Sequence, residues 1–117
     1  MADIENLLIP IKPLSVNEAW KGRRFRSDAY NTYRMEMLLR LPPGKLPEPP
    51  YAVEYEFGFS NPQADFDNPC KPLGDILQHK YGFNDKLIYE AHIRKVIVPK
   101  GHEYIKVHIR HLPNITR

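Results

Sequence analysis

One short segment in the middle of the chain constrains the fold more than any other. Every second residue from position 51 to position 59 is large and apolar, in the series Tyr51, Val53, Tyr55, Phe57 and Phe59. Two of the intervening residues are acidic, Glu54 and Glu56. Because successive side chains of a strand point to opposite faces, this alternation predicts a strand with one buried aromatic face and one solvated acidic face.

Helical patterns flank this strand on both sides. Residues 28–41 carry apolar residues at helical spacing, and Ser27 before them is a typical N-cap. A second helix is predicted with Asn68 as its N-cap, Pro69 as its first residue and Gly82 as its left-handed C-terminal residue. The buried stripe of the first helix is predicted to consist of Tyr30, Tyr33, Met37 and Leu41.

Strand-like segments lie towards both ends of the chain. Residues 7–11 predict a short strand, and residues 87–98 and 105–109 predict a hairpin around a turn at 99–102. The element order is then strand, helix, strand, helix, strand, strand. We therefore expect an α/β (α+β) fold in which residues 1–117 form one domain, with a single small mixed sheet packed with two main helices.

Charge is unevenly distributed along the chain. Lys and Arg total 17 and Asp and Glu total 14, which gives a formal net charge of +3. Residues 20–26 contain four basic residues and no acid, whereas residues 46–70 contain five acids and no Lys or Arg. Gly22 favours a mobile loop for the basic segment, which follows a predicted loop at 13–17. This order permits a nucleic-acid partner, although each run is equally compatible with a solvated face.

The single cysteine limits which cellular compartment and which cysteine-dependent sites are expected. Cys70 has no partner for an intrachain disulfide or a Cys-rich zinc site, so a reducing, cytoplasmic compartment is expected. The N-terminus lacks the pattern of a secretory signal, and no apolar run approaches the ~20 residues of a membrane span. We therefore expect no membrane partner.

The tetrad at residues 65–68, Asp-Phe-Asp-Asn, is the strongest candidate for chemistry. On an extended backbone Asp65 and Asp67 point to the same side, where they repel each other unless a cation lies between them. Mg²⁺ prefers such oxygen ligands, and Asp85 is the best third carboxylate. Lys71, one helical turn after Asp67, can reach the same space, so the group suits phosphodiester hydrolysis. A plain turn followed by a helix cap has the same pattern, and this alternative stays open.

Taken in order, these motifs resemble the RusA family of Holliday-junction resolvases. Residues 13–17 resemble the Pro-Ser-x-Asn-type segment of the family, and residues 65–71 resemble its Asp-x-Asp-Asn-x-x-Lys motif. Residues 82–85 are similar to its Gly-x-x-Asp-Asp turn, and Lys95 follows at a familiar distance in the next strand. The resemblance covers nearly the whole chain.

The resemblance implies a function and a set of residues. It implies a RusA-like fold and a homodimer that nicks four-way DNA junctions symmetrically, in recombination and repair, with Mg²⁺ or with Mn²⁺ as a substitute. Asp65, Asp67 and Asp85 match the metal-binding catalytic carboxylates, and Lys71 matches the active-site lysine. The residues expected to contact DNA are Asn17, Lys21, Arg23, Arg24, Arg26, Asn68 and Lys95.

Two departures from the family pattern motivate other functions. Asn84 stands where the family commonly has the first acid of an Asp-Asp pair, and Lys86-Leu87 replaces the usual Ser-Gln. A non-catalytic nucleic-acid-binding module of the same fold is therefore the main alternative. An interaction protein, in which the Asp-rich turn is only a helix cap, is a third.

Overall fold

A four-stranded mixed sheet forms the centre of the fold, seen in a computed structural model that describes residues 4–21 and 25–113. Its strands, in the spatial order β1-β6-β4-β5, are β1 (Ile4–Ile9), β4 (Tyr51–Phe59), β5 (Ile88–Ile97) and β6 (Tyr104–His111). A separate ribbon pairs two short strands, β2 (Trp20–Lys21) and β3 (Phe25–Arg26). The helices are α1 (Val16–Ala19), α2 (Asp28–Arg40), α3 (Cys70–Tyr81) and a 3₁₀ turn, Asp85–Leu87. The predicted α+β class is confirmed.

Strand β4 lies inside the sheet and carries the core. It pairs with β5 in parallel and with β6 antiparallel, so both of its edges are hydrogen-bonded. The five alternating side chains predicted to be buried are buried, and Phe57 is completely inaccessible. The opposite face is less solvated than predicted, because Glu54 lies 3.4 Å from Arg110 and Glu56 lies 3.8 Å from Arg94. These cross-strand ion pairs leave both glutamates partly buried.

Helix α2 follows the sequence prediction closely. The Ser27 hydroxyl accepts a hydrogen bond from the Tyr30 amide at 3.1 Å, which makes Ser27 the N-cap. The predicted stripe is buried, and it includes Met37 and Leu41. Leu41 is extended because the residue before a proline avoids helical geometry, and the helix ends there. In the described ranges no helix is long and apolar enough to cross a membrane.

The start of α3 differs from the prediction by one residue. Pro69, not Asn68, occupies the N-cap position, and it offers no side-chain hydrogen bond to the helix. The Asn68 amide instead donates to Asp65 Oδ2 at 3.0 Å, so its side chain is used inside the preceding loop. The C-terminal prediction is confirmed, since Gly82 has the left-handed φ of 69° and closes the helix with a bond to the Gln78 carbonyl.

The predicted hairpin of the last two long strands is wrong. Strands β5 and β6 run antiparallel, but β4 lies between them. The reason is the crossover: α3 carries the chain back along the sheet, so β5 adds to one edge of β4 in parallel. The turn at 98–103 then passes the end of β4, where the Val98 amide bonds the Phe59 carbonyl at 2.7 Å. Strand β6 takes the remaining edge.

The N-terminal third contains three smaller differences. Strand β1 covers Ile4–Ile9 rather than 7–11, and it has a bulge in which Asn6 adopts a positive φ of 46°. The segment at 13–17, predicted as a loop, enters α1 at Val16. The ends of the basic segment form the β2–β3 ribbon rather than an unstructured loop, with 22–24 outside the described residues.

Two glycines give opposite predictions for the same substitution. A Cβ on Gly58 would clash with the ring of Tyr104, which lies across it on β6 and donates to Glu56. We expect Gly58→Ala to destabilise the fold by about 1–3 kcal/mol, because the ring must shift. Gly74 in α3 has open space around it, so Gly74→Ala should stabilise by about 0.5–1 kcal/mol. Urea unfolding followed by circular dichroism measures both, and an unchanged midpoint for Gly58→Ala contradicts this packing.

Candidate active site

The loop at 60–69 connects β4 to α3 and carries two of the predicted carboxylates. It is held at its start by the Ser60 hydroxyl, which donates to Glu103 Oε2 at 2.6 Å and lowers the pKa of that carboxyl. Within the loop, the Ala64 and Gln63 amides both bond to Asn61, at 3.1 and 2.9 Å. The loop is therefore a folded turn with its own hydrogen bonds.

Asp65 lies at the rim of a polar cavity beside α1. The cavity has a volume of about 360 Å³, and Ser15, Glu18 and Glu103 also line it. Glu18 is already engaged there, because one of its carboxylate oxygens accepts the Ser15 amide at 3.1 Å in a capping box. One carboxylate oxygen of Asp65 accepts a hydrogen bond from the side-chain amide of Asn68, so the loop fixes the direction of that carboxylate.

Asp67 lies in the loop at 60–69, two residues before the N-cap of α3. Its backbone carbonyl accepts the Cys70 amide at 3.0 Å. Burial, and to a smaller extent the negative charge of Asp67, raise the pKa of the half-buried Cys70 thiol to about 11. The hydrogen bond from the Cys70 backbone amide places the backbone of Asp67 beside the start of α3.

A groove between α3 and β5 collects the other predicted residues. It has a volume of about 300 Å³, and Lys71, Asp75 and Asp85 line it over an apolar floor that includes Tyr55 and Ile93. Lys71 Nζ lies 3.1 Å from Asp75 Oδ1, one helical turn further on. The structure thus brings Lys71 and Asp85 to one groove, and Cys70 lines the same groove.

The turn before β5 fixes the backbone of Asp85. The Asp85 amide donates to Gln78 Oε1 at 3.1 Å, which ties the turn to the last part of α3. The Asn84 side chain accepts the Lys86 amide at 2.9 Å and caps the 3₁₀ turn. The residue that departs from the family pattern therefore has a structural use at this position.

The predicted metal ligands suit a hard divalent cation in kind, because all three are carboxylates. The structure does not gather them at one point. Asp65 lines the cavity beside α1, whereas Asp85 lines the groove beside β5. Throughout 4–21 and 25–113, no group of three or more His, Cys, Asp or Glu side chains is arranged to hold a metal ion. The three predicted carboxylates therefore do not form an assembled metal centre in this structure.

The residues predicted to contact DNA have varied positions. Asn17 is exposed on α1, whereas the Asn68 amide is bonded to Asp65. The ammonium of Lys95 donates to two carbonyls of the loop at 60–69. Lys21 and Arg26 belong to the β2–β3 ribbon, and Arg23 and Arg24 lie outside the described residues.

Sequence reasoning assigned no role to two residues that shape the groove. Asp75 pairs with Lys71, and the i, i+4 spacing of an acid and a base on one helix is the signal that points to this pair. Gln78 anchors the Asp85 amide through its side chain, and no local pattern marks that contact.

No protein-family model matches the chain, and no curated protein is significantly similar to it. The similarity to the RusA family therefore depends on the sequence motifs and on their order along the chain.

The Cys70 thiol reports on the position of Asp67. Because its pKa is about 11, alkylation by iodoacetamide should be slow at pH 8 and should accelerate as the pH rises towards that value. Asp67→Asn removes the neighbouring negative charge and should move the midpoint of this pH profile downwards. Asp28→Asn, a substitution of the same kind on α2, should leave the midpoint unchanged. Equal midpoints for wild type and Asp67→Asn would place the carboxylate away from the thiol.

Proposed function

We propose that this chain is a metal-dependent endonuclease of the RusA type, which cuts four-way DNA junctions by paired symmetric nicks. The observation that carries the proposal is the groove at α3, which Lys71 and Asp85 line together with Cys70, whose backbone amide is bonded to the Asp67 carbonyl. An ammonium close to carboxylates, on an open groove, is a suitable environment for a phosphodiester. The motif order supports the same conclusion.

Each residue of this group has a distinct task in the proposal. Asp65, Asp67 and Asp85 would hold Mg²⁺, or Mn²⁺ in its place, and such an ion activates water and neutralises charge on phosphorus. Lys71 has an exposed side chain, so it is free to contact the scissile phosphate. Asp75 orients Lys71 along the groove through their 3.1 Å ion pair.

The substrate and the assembly follow from the proposed reaction. Contacts to phosphates fix position but carry little sequence information, so a four-way junction would be selected mainly by its shape. Paired nicks require two active sites, and a single small domain supplies them by forming a homodimer. The chain would act on branched DNA in recombination and repair, in the reducing cytoplasm expected from its single cysteine.

A non-catalytic nucleic-acid-binding module is the second candidate function. It is favoured by Asn84, whose side chain caps a turn where the family commonly has an acid. The division of the carboxylates between a cavity and a groove favours it as well. The two functions differ in one observable: the module binds a junction and leaves it intact with every divalent metal.

Removing either loop carboxylate should separate cleavage from binding. We expect Asp65→Asn and Asp67→Asn each to abolish cleavage of a synthetic four-way junction, because each removes a negatively charged oxygen ligand. Junction affinity in a gel-shift assay should change less than about threefold, since neither residue contacts phosphate in the proposal. Asp28→Asn is the matched control and should cleave like wild type. Full cleavage by either loop variant would remove the proposed site.

Lys71 should matter more for the reaction than for affinity. We expect Lys71→Ala to slow single-turnover cleavage by about 10²- to 10³-fold, the usual loss when one charge-stabilising donor is removed. Its junction affinity should fall far less, by the amount expected for one phosphate contact. Lys45→Ala, at an exposed lysine of the connection between α2 and β4, controls for net charge. Equal losses of rate and affinity in Lys71→Ala would make this lysine a binding residue only.

A further inference from the structure

A lysine interrupts the inner face of strand β5. The residues of β5 that share the inner face with the aromatic row of β4 are Ala91, Ile93, Lys95 and Ile97. Lys95 is paired in register with Phe57, the completely buried centre of that row. Lys95 is partly buried on this edge strand, and hydrogen bonds compensate an ammonium for the water that it loses on partial burial.

The partners of Lys95 lie in the loop that carries the candidate carboxylates. Its ammonium donates to the Pro62 carbonyl at 2.6 Å and to the Ala64 carbonyl. Both carbonyls belong to a part of the chain that has left the sheet, so neither has a ladder partner. A single ammonium with three donors can satisfy both carbonyls at once.

We propose that Lys95 is a positioning residue, whose ammonium holds the loop at 60–69 in the shape that presents Asp65 and Asp67. We call the two hydrogen bonds from the Lys95 ammonium to the Pro62 and Ala64 carbonyls the clamp. The carbonyl of Ala64 immediately precedes Asp65, so the clamp acts directly next to the first carboxylate. Ser60 fixes the start of the same loop to Glu103, and the Cys70 amide fixes its end to the Asp67 carbonyl. Lys95 provides the attachment between these two ends.

This assignment differs from a direct role in DNA binding. A lysine that contacts phosphate keeps its ammonium available to solvent, whereas the two carbonyls use two of the three donors of Lys95. The order that the clamp gives to the loop is a property of the folded chain and can be measured without any cleavage activity. Its consequence for cleavage rests on the proposed nuclease function, and the two parts are tested separately.

Hydrogen exchange of the loop amides tests the clamp without any activity. In Lys95→Met the amides of Gln63 and Ala64 should exchange about tenfold faster than in wild type, because charge-assisted bonds to the loop are lost. Lys95→Arg, which keeps the charge and several donors, should restore most of the protection. Lys106→Met, on β6, is the matched control and should leave the loop unchanged. Protection of the β4 amides verifies that each variant is folded, and Lys95→Gln replaces Lys95→Met should the latter not fold.

A cleavage assay on the same variants tests the consequence for the site. The rate of single-turnover junction cleavage should fall at least tenfold in Lys95→Met, and the Mg²⁺ concentration that gives half of the maximal rate should rise. Junction affinity should stay within about threefold of wild type. Unchanged loop exchange in Lys95→Met overturns the clamp, whatever the cleavage result. If loop exchange is faster in Lys95→Met but the wild-type protein cleaves no junction, the clamp is supported and the proposed nuclease function is overturned. A loss of affinity without faster exchange assigns Lys95 to DNA contact instead.

Discussion

Strand β4 can exist in this fold only when both of its edges and its aromatic face are occupied. Its backbone bonds to β5 on one edge and to β6 on the other, and its alternating side chains pack against α2 and α3. These requirements determine the path of the chain: α3 must return along the sheet for β5 to add in parallel, and the turn at 98–103 must pass the end of β4. The candidate residues lie on the connections that this path creates, the loop at 60–69 and the turn before β5.

The same path explains the separation of the carboxylates. Asp67 precedes α3, and the Asp85 amide is bonded to Gln78, which is eight residues beyond Cys70, or about 12 Å further along the helix axis. Lys71 and Asp75 occupy the groove between these two points. Two of the three carboxylates belong to the loop at 60–69, which makes the shape of that loop central to the proposed activity.

Local patterns predicted the elements whose partners are close in sequence. The β4 alternation, the Ser27 cap and the left-handed Gly82 each depend on a few neighbouring residues, and each is confirmed. The order of strands in the sheet depends on contacts across the fold, and the β5–β6 hairpin was wrong for that reason. Two strands joined by a short turn give the same alternation whether they pair or flank a third strand.

The candidate site shows the same division. The spacing of Asp65, Asp67 and Lys71 could be predicted from the sequence, because these residues lie close together in the chain around one helix start. The roles of Asn68 and Lys95 could not, since each depends on which loop atom lies within reach. A lysine in an otherwise apolar alternating row is nevertheless a usable signal, because a charge on an inner face needs partners from elsewhere in the fold.

Cleavage of a labelled four-way junction by the unaltered chain tests the central claim most directly. Incubation with Mg²⁺, with Mn²⁺ and with a chelator, followed by mapping of the ends, determines whether a nuclease is present and how it cuts. The account predicts two nicks at symmetric positions in opposite strands, formed with either metal and absent with the chelator. A junction that is bound but remains intact with both metals, or that is cut equally in the chelator, would contradict it.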